Sequence, residues 1–273
     1  MLTARRLLQA TWILIASMLV AAPAQAQERL SAAGSTALLP LVSDAARLYH
    51  EEHKDVDVLV KGGGSITGIN SVAARAVDIG DSDVTAPGHP ELTDNRVAVV
   101  GFAVITNPQT GVRSLTSAQI RGIFSGDITN WKQVGGADQD VVIVNRPHSS
   151  GTRAVFTVTL MKGAVVKESG VTEDSTQMVV KIVRTTPGAI SYAALSGTAG
   201  EGLNLIAIDG VAPEESNITT GRYPFWSYEH MFTYGPARGE TARFIRYVRS
   251  RRDLLAKYGY IRITDMKVAE ADR

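Results

Sequence analysis

Val141-Val142-Ile143-Val144-Asn145-Arg146-Pro147-His148-Ser149-Ser150-Gly151-Thr152-Arg153-Ala154-Val155-Phe156 reads as a strand, a turn and the start of a helix. The apolar run Val141 to Val144 is β-branched and short, as buried strands are, and the stretch from Ala154 to Met161 fits a helix. Between them lies a turn of small hydroxyl residues with one arginine. At a helix start the first backbone N–H groups lack helical partners and carry the positive end of the peptide dipoles. Hydroxyls and a guanidinium added there make a local anion site. Ser150 or Thr152 acting only as an N-cap would account for the same residues, so the reading depends on whether the chain builds such turns elsewhere.

It does so twice more. Arg29 to Ala33 is a short strand followed by Gly34-Ser35-Thr36, after which Leu38, Leu41, Val42, Ala45, Leu48 and Tyr49 recur at helical spacing, with Pro40 tolerated in the first turn. Ser35 or Thr36 there either caps the helix or receives an anion. Val56 to Val60 is β-like and runs into Gly62-Gly63-Gly64-Ser65-Ile66-Thr67-Gly68, ahead of a helical stretch from Ile69 to Ala76. These glycines let backbone approach a ligand closely. A nucleotide phosphate loop would need Gly-Lys-Ser/Thr at its end, and no lysine follows. A dinucleotide fingerprint fails as well, for want of a long βαβ unit with a later acid.

Asp78 to Val84 is a short strand entering a loop with Asp81 and Asp83, without the glutamate and spacing of a calcium loop. Arg96 to Thr106 is the longest β-rich run and suits a buried central strand. Helices are expected over Leu115 to Ile123, Thr176 to Val183 and Ala242 to Ala256, the last with Arg243, Arg246, Arg249, Arg251 and Arg252 on a solvated face. Strands are expected at Ala189 to Tyr192, Leu203 to Ile208, Phe225 to Tyr234 and Tyr260 to Ile263. Strands alternating with helices make an α/β protein with mainly parallel sheets. Composition alone leaves one domain or two open.

The 273 residues are 44% hydrophobic and 20% charged, an ordinary globular balance. Lys plus Arg number 28 and Asp plus Glu 27, so nothing global favours nucleic acid. Residues 1–26 have the form of a secretory signal: Arg5 and Arg6, an apolar run from Leu7, and Ala24-Gln25-Ala26 before a cleavage point ahead of Gln27. With no cysteine, neither disulfides nor a cysteine-linked lipid is expected, and the periplasm is the expected location. An enzyme is not expected. Gly-x-Ser-x-Gly is absent, and the histidines of His50-Glu51-Glu52-His53 have the wrong spacing for a helix-borne zinc pair.

Gly34-Ser35-Thr36, the Gly64-Ser65 to Gly68 loop, Ser82-Asp83, Ile123-Phe124-Ser125-Gly126 with Asn130-Trp131, and Arg146 to Thr152 occur in an order and spacing that resembles the periplasmic phosphate-binding proteins of high-affinity phosphate ABC transport. The resemblance covers essentially all of the chain after residue 26. It implies the two-lobed α/β fold of type II periplasmic binding proteins, mainly parallel sheets flanked by helices with a ligand cleft between the lobes. Lobe one would comprise residues 27–105 and 231–273, lobe two 106–230, with crossings near Ile105 to Asn107 and Trp226 to Met231.

Carried over by motif, the phosphate contacts fall on Thr36, the Ala37 backbone N–H, Ser65, Asp83, Arg146, Ser150, Gly151 and Thr152, with Ser35 a further candidate in the first turn. The implied partners are inorganic phosphate and an inner-membrane ABC permease with its ATPase; a monomer without cofactor or metal is expected. A different tetrahedral oxyanion, or a sensor or adhesion role on the same scaffold, is the alternative. Asp83 explains selectivity, because a carboxylate accepts the proton that hydrogen phosphate carries and sulfate lacks. Two departures from the family are Ser149, where glycine is common, with the adjacent His148, which either adds a donor near the anion or faces solvent, and a chain shorter than the longest members, without their peripheral insertions.

Overall fold

The computed structural model describes residues 27–168 and 170–268; the expected signal segment, residues 1–26, lies outside the described residues. The first part of the chain runs β1 (Glu28–Gly34), α1 (Leu39–Glu52), β2 (Val56–Lys61), α2 (Ser65–Ala73), β3 (Ile79–Ser82), β4 (Leu92–Thr93) and β5 (Arg96–Thr106). Then follow β6 (Ser114–Leu115), α3 (Ser117–Ser125), β7 (Val142–Asn145), α4 (Gly151–Phe156), β8 (Val171–Thr172), α5 (Thr176–Thr185) and β9 (Ala189–Ala194). The chain continues through β10 (Asn204–Leu205), β11 (Ala207–Ile208), α6 (Glu215–Thr219), β12 (Trp226–Tyr234), α7 (Gly239–Ser250) and α8 (Arg252–Lys257).

The strands join in the order β2-β1-β3-β12-β5-β9-β7-β8. Two parallel blocks, β2-β1-β3 and β9-β7-β8, flank the antiparallel pair β12 and β5. The sheet is thus mostly parallel with an antiparallel centre, a refinement of the expected arrangement. β5 makes the join: Val99 to Gly101 pair with β12, and Phe102 to Thr106 pair with β9. Only Arg96 of its eleven residues escapes full burial, because helices or loops cover both faces.

The core follows the apolar spacing. α1 buries Leu41, Val42, Ala45, Ala46 and Tyr49 along one stripe. Phe156 of α4 stacks on Tyr192 of β9 at 4.1 Å between ring centroids and meets Phe124 of α3 edge-on at 4.7 Å. Trp131 is fully buried, and its indole N–H donates to Gly188 O at 2.9 Å, which explains why an aromatic is needed after Asn130.

Some boundaries differ from expectation. α2 begins at Ser65 rather than Ile69, since Gly64 at φ 90° takes the N-cap position. The helix expected from Ala242 to Ala256 breaks at Arg251, whose ψ of 78° ends α7 and whose guanidinium bonds Asp253 in α8. Tyr260 to Ile263 forms one antiparallel bridge, Ile261 to Val99, instead of a strand. β10 and β11 divide the run expected from Leu203 to Ile208.

Candidate functional site

The turns after β1, β2 and β7 and the segment after β3 meet at one buried place. Ser35, Thr36, Ala37, Ser65, Asp83, Arg146, Ser150 and Thr152 are each no more than 5% exposed, and Gly151 is buried with them. Ser35 Oγ donates to Asp83 Oδ1, and Thr152 Oγ1 donates to Asp83 Oδ2 at 2.9 Å. The Asp83 backbone N–H donates to Ser65 Oγ at 2.9 Å. Ala37 N–H, expected to face the ligand, donates to Ser35 Oγ at 3.1 Å, as Leu38 N–H also does. The Ser35 hydroxyl is therefore the acceptor for the turn that starts α1. Ser150 is the N-cap of α4 and accepts from Arg153 N–H at 3.2 Å. So for Ser150 the capping and anion readings coexist, since a hydroxyl that accepts in a cap still has a hydrogen to give, whereas the Ser35 hydrogen goes to Asp83.

Close packing explains two glycines. A Cβ on Gly151 would overlap the Ser65 hydroxyl and come within 2.9 Å of Asp83 Cβ. One on Gly64 would lie 2.5 Å from Ser149 O. That carbonyl instead accepts from Ile66 N–H at 3.1 Å, so Ser149 joins the turns through its backbone.

Arg146 is oriented by neutral groups. Nε donates to Glu173 O at 3.0 Å, and Nη2 donates to Asp174 O at 3.0 Å and Thr36 Oγ1 at 3.2 Å. Nη1 is buried with no hydrogen-bond partner among the described residues. Carbonyls fix the fork without neutralising it, so its charge remains available to an anion. Burial lowers its pKa, opposed by the charge of Asp83, yet a guanidinium stays protonated in proteins. Burial likewise pushes the Asp83 carboxyl up, while the hydroxyls of Ser35 and Thr152 and the charge of Arg146 pull it back. Each carboxylate oxygen has two lone-pair sites, so Asp83 can accept from those hydroxyls and from a ligand together. The set can grip an oxyanion: one fixed cation, several hydroxyl donors and one acceptor. Among the described residues no group of three or more His, Cys, Asp or Glu is placed to hold a metal ion.

Residues 20–252 match the PBP superfamily domain. Over 252 residues the chain is 44% identical to Phosphate-binding protein PstS of Bacillus subtilis (strain 168), covering 89% of this chain and 84% of that protein. The chain belongs to the PstS family. A second PstS, from Borreliella burgdorferi, is 26% identical over 226 residues, covering 78% of this chain and 81% of its own. Among solved PstS-like structures, one from Clostridium perfringens with bound phosphate, described as a phosphate ABC transporter substrate-binding protein, superposes with a TM-score of 0.81 at 26% identity over 86% of this chain and all 100% of its own. An ABC-type phosphate transport receptor from Vibrio cholerae gives 0.66 at 28% identity, covering 86% and 99%. These relatives are named as binding proteins, not enzymes.

Around the PstS turns lie residues that sequence reading missed. Thr176, which opens α5, gives Thr36 Oγ1 its backbone N–H at 3.3 Å and lies 3.4 Å from it through its own hydroxyl. Arg153 is 6% exposed, donates to Arg146 O at 2.5 Å and pairs with Glu168, so it braces the turn that carries Arg146. Ser at 175 before an apolar run was a readable helix start, whereas Arg153 carried no signal. His148 faces outward: its ring lies 3.6 Å from Glu168 Oε1 and its side chain is 86% exposed. Two more acids, Asp81 and Glu229, are fully buried beside Asp83.

Proposed function

We propose that this chain captures inorganic phosphate through Ser35, Thr36, the Ala37 amide, Ser65, Asp83, Arg146, Ser150, Gly151 and Thr152. The single observation that supports this most is the buried convergence of Arg146, whose Nη1 has no acceptor among the described residues, with hydroxyls and one carboxylate from four separate turns. Hydrogen phosphate suits that set, because it accepts from the guanidinium and hydroxyls and donates its proton to Asp83. The captured anion is delivered to an inner-membrane ABC permease driven by its ATPase. The protein works as a monomer in the periplasm after loss of residues 1–26. In support, no helix among the described residues is long and apolar enough to cross a membrane.

The strand pairing supports the proposed division into two lobes. β5 exchanges β12 for β9 between Gly101 and Phe102, and Phe102 N–H bonds Phe225 O at 2.9 Å where the chain returns into β12. These points, a few residues before the boundaries at 105/106 and 230/231, are the hinge in this proposal. Closure would then be a population shift driven by an anion that touches both lobes. Calorimetric titration with phosphate, sulfate and arsenate at two pH values is the test. Saturable phosphate binding with sulfate rejected is expected; equal affinity for sulfate, or no phosphate binding, would overturn the reading.

A further inference from the structure

Glu229 lies within β12, is fully buried, and neither of its carboxyl oxygens receives a hydrogen bond from any described hydroxyl, amide or guanidinium. Strand register sets its position. His230 opposes Ser82 and Met231 opposes Asp81, so one step further places Glu229 across from Asp83, on the sheet face where Asp81 and Asp83 point. Ser227 ties the strands together there by donating to Asp83 O at 2.6 Å. The register thus sets the Glu229 carboxyl next to that of Asp83, whose charge acts on it. Two carboxyls in such contact hold together only if one of them carries a proton.

The surroundings decide which. Asp83 accepts from Ser35 and Thr152 and faces Arg146, and all three favour its charged form. Glu229 faces Asp81 of β3, Asp83 just after it and the Tyr260 phenol from the C-terminal segment, and no cation among the described residues. Tyr260 stays neutral, because burial raises it well above its ordinary value and its O–H donates to Ala37 O. His230, next along β12, points to the opposite face, where it bonds Asp94 at 2.8 Å.

We propose that Glu229 is a specificity-determining residue: as the neutral acid it donates a hydrogen bond to Asp83 from behind and so keeps Asp83 a charged acceptor toward the anion. If Glu229 were ionised or missing, Asp83 would take the proton itself and become a donor, which sulfate accepts as readily as phosphate does. Burial and the charge of Asp83 push the Glu229 carboxyl well above the usual range, in the direction this requires. The inference rests on the reading of Asp83 as the acceptor that faces the anion.

Infrared difference spectroscopy of the ligand-free full chain, wild type against Glu229→Gln at neutral pH, tests the proton directly. The difference is expected to contain a protonated-carboxyl C=O band; an ionised-carboxylate band in its place overturns the proposal. Titration with phosphate and sulfate supplies the functional readout. Glu229→Gln, whose amide still donates, is expected to match wild type, and Glu229→Leu, of similar volume but without a donor, is expected to lose at least about tenfold of the phosphate-over-sulfate preference. Wild-type sulfate rejection in a folded Glu229→Leu overturns it; should that variant not fold, the Glu229→Gln spectrum decides. Failure of the underlying reading looks different: Asp83→Asn would leave sulfate rejection intact while the protonated band of Glu229 persisted.

Discussion

At the residue scale, Asp83 and Arg146 have opposite duties. Asp83→Asn keeps the shape of the side chain and replaces one acceptor oxygen with a donor, so sulfate affinity is expected to rise while phosphate binding survives. Competition titration checks this, and unchanged sulfate rejection would remove the selectivity argument. Arg146→Ala deletes a fork held by the carbonyls of Glu173 and Asp174 with Nη1 unpaired among the described residues. Loss of a charge-assisted contact to an anion is expected to weaken phosphate by roughly 2–4 kcal/mol, measured by calorimetry; an effect below about 0.5 kcal/mol would put the anion elsewhere. The family resemblance carried the role of Asp83 in the sequence, because Asp83 alone is one of two neighbouring acids in a loop, whereas Arg146 stands out by itself beside a hydroxyl-rich turn. Arg153 and Glu229 were not legible, since an arginine in a helix and a glutamate in a strand are by default solvated.

At the element scale, the site depends on how closely α4 approaches α2 and β3. Gly151 is the first residue of α4 and keeps a helical backbone without positive φ, so alanine there fits its own helix. Its methyl group, however, would overlap Ser65 and crowd Asp83. Gly151→Ala is therefore expected to lose about 1–3 kcal/mol of stability, the usual cost of overpacking, and to bind phosphate more weakly because Ser65 is displaced. Thermal unfolding beside titration separates the two effects, and wild-type affinity would show that the approach is not needed. The cap of α4 was legible from its Ser-Gly-Thr signal, whereas α2 starts at Ser65, four residues before the expected Ile69. The break at Arg251 was not legible, because apolar spacing continues through Leu254 and Leu255 and only the pairing of Arg251 with Asp253 and Tyr247 marks the corner.

For the whole molecule, the cluster of Asp81, Asp83 and Glu229 couples folding to pH. All three carboxyls are raised by burial, so between its unfolded and folded values each binds more protons folded than unfolded. Their contribution is present in full below the ordinary carboxylate range and is lost as pH rises through the folded values. Asp81→Asn cannot ionise and escapes this loss. Relative to that variant, ligand-free wild type is expected to lose about 1.4 kcal/mol of stability per pH unit above roughly pH 4. Denaturant unfolding across pH measures it, and a pH-independent difference would mean that Asp81 ionises normally in the folded protein.

The family resemblance implied a common site for Asp83 and Arg146, and the sequence by itself determined the α/β class, the three donor turns and the central strand at Arg96 to Thr106. These are local properties: spacing, turn chemistry and residue type act over a few neighbouring positions. Only the tertiary structure decided that β5 changes partners between Gly101 and Phe102, that Thr176 braces Thr36, and that Glu229 stands behind Asp83. Those contacts join residues more than eighty positions apart, and strand register, set by packing across the whole sheet, brings them together.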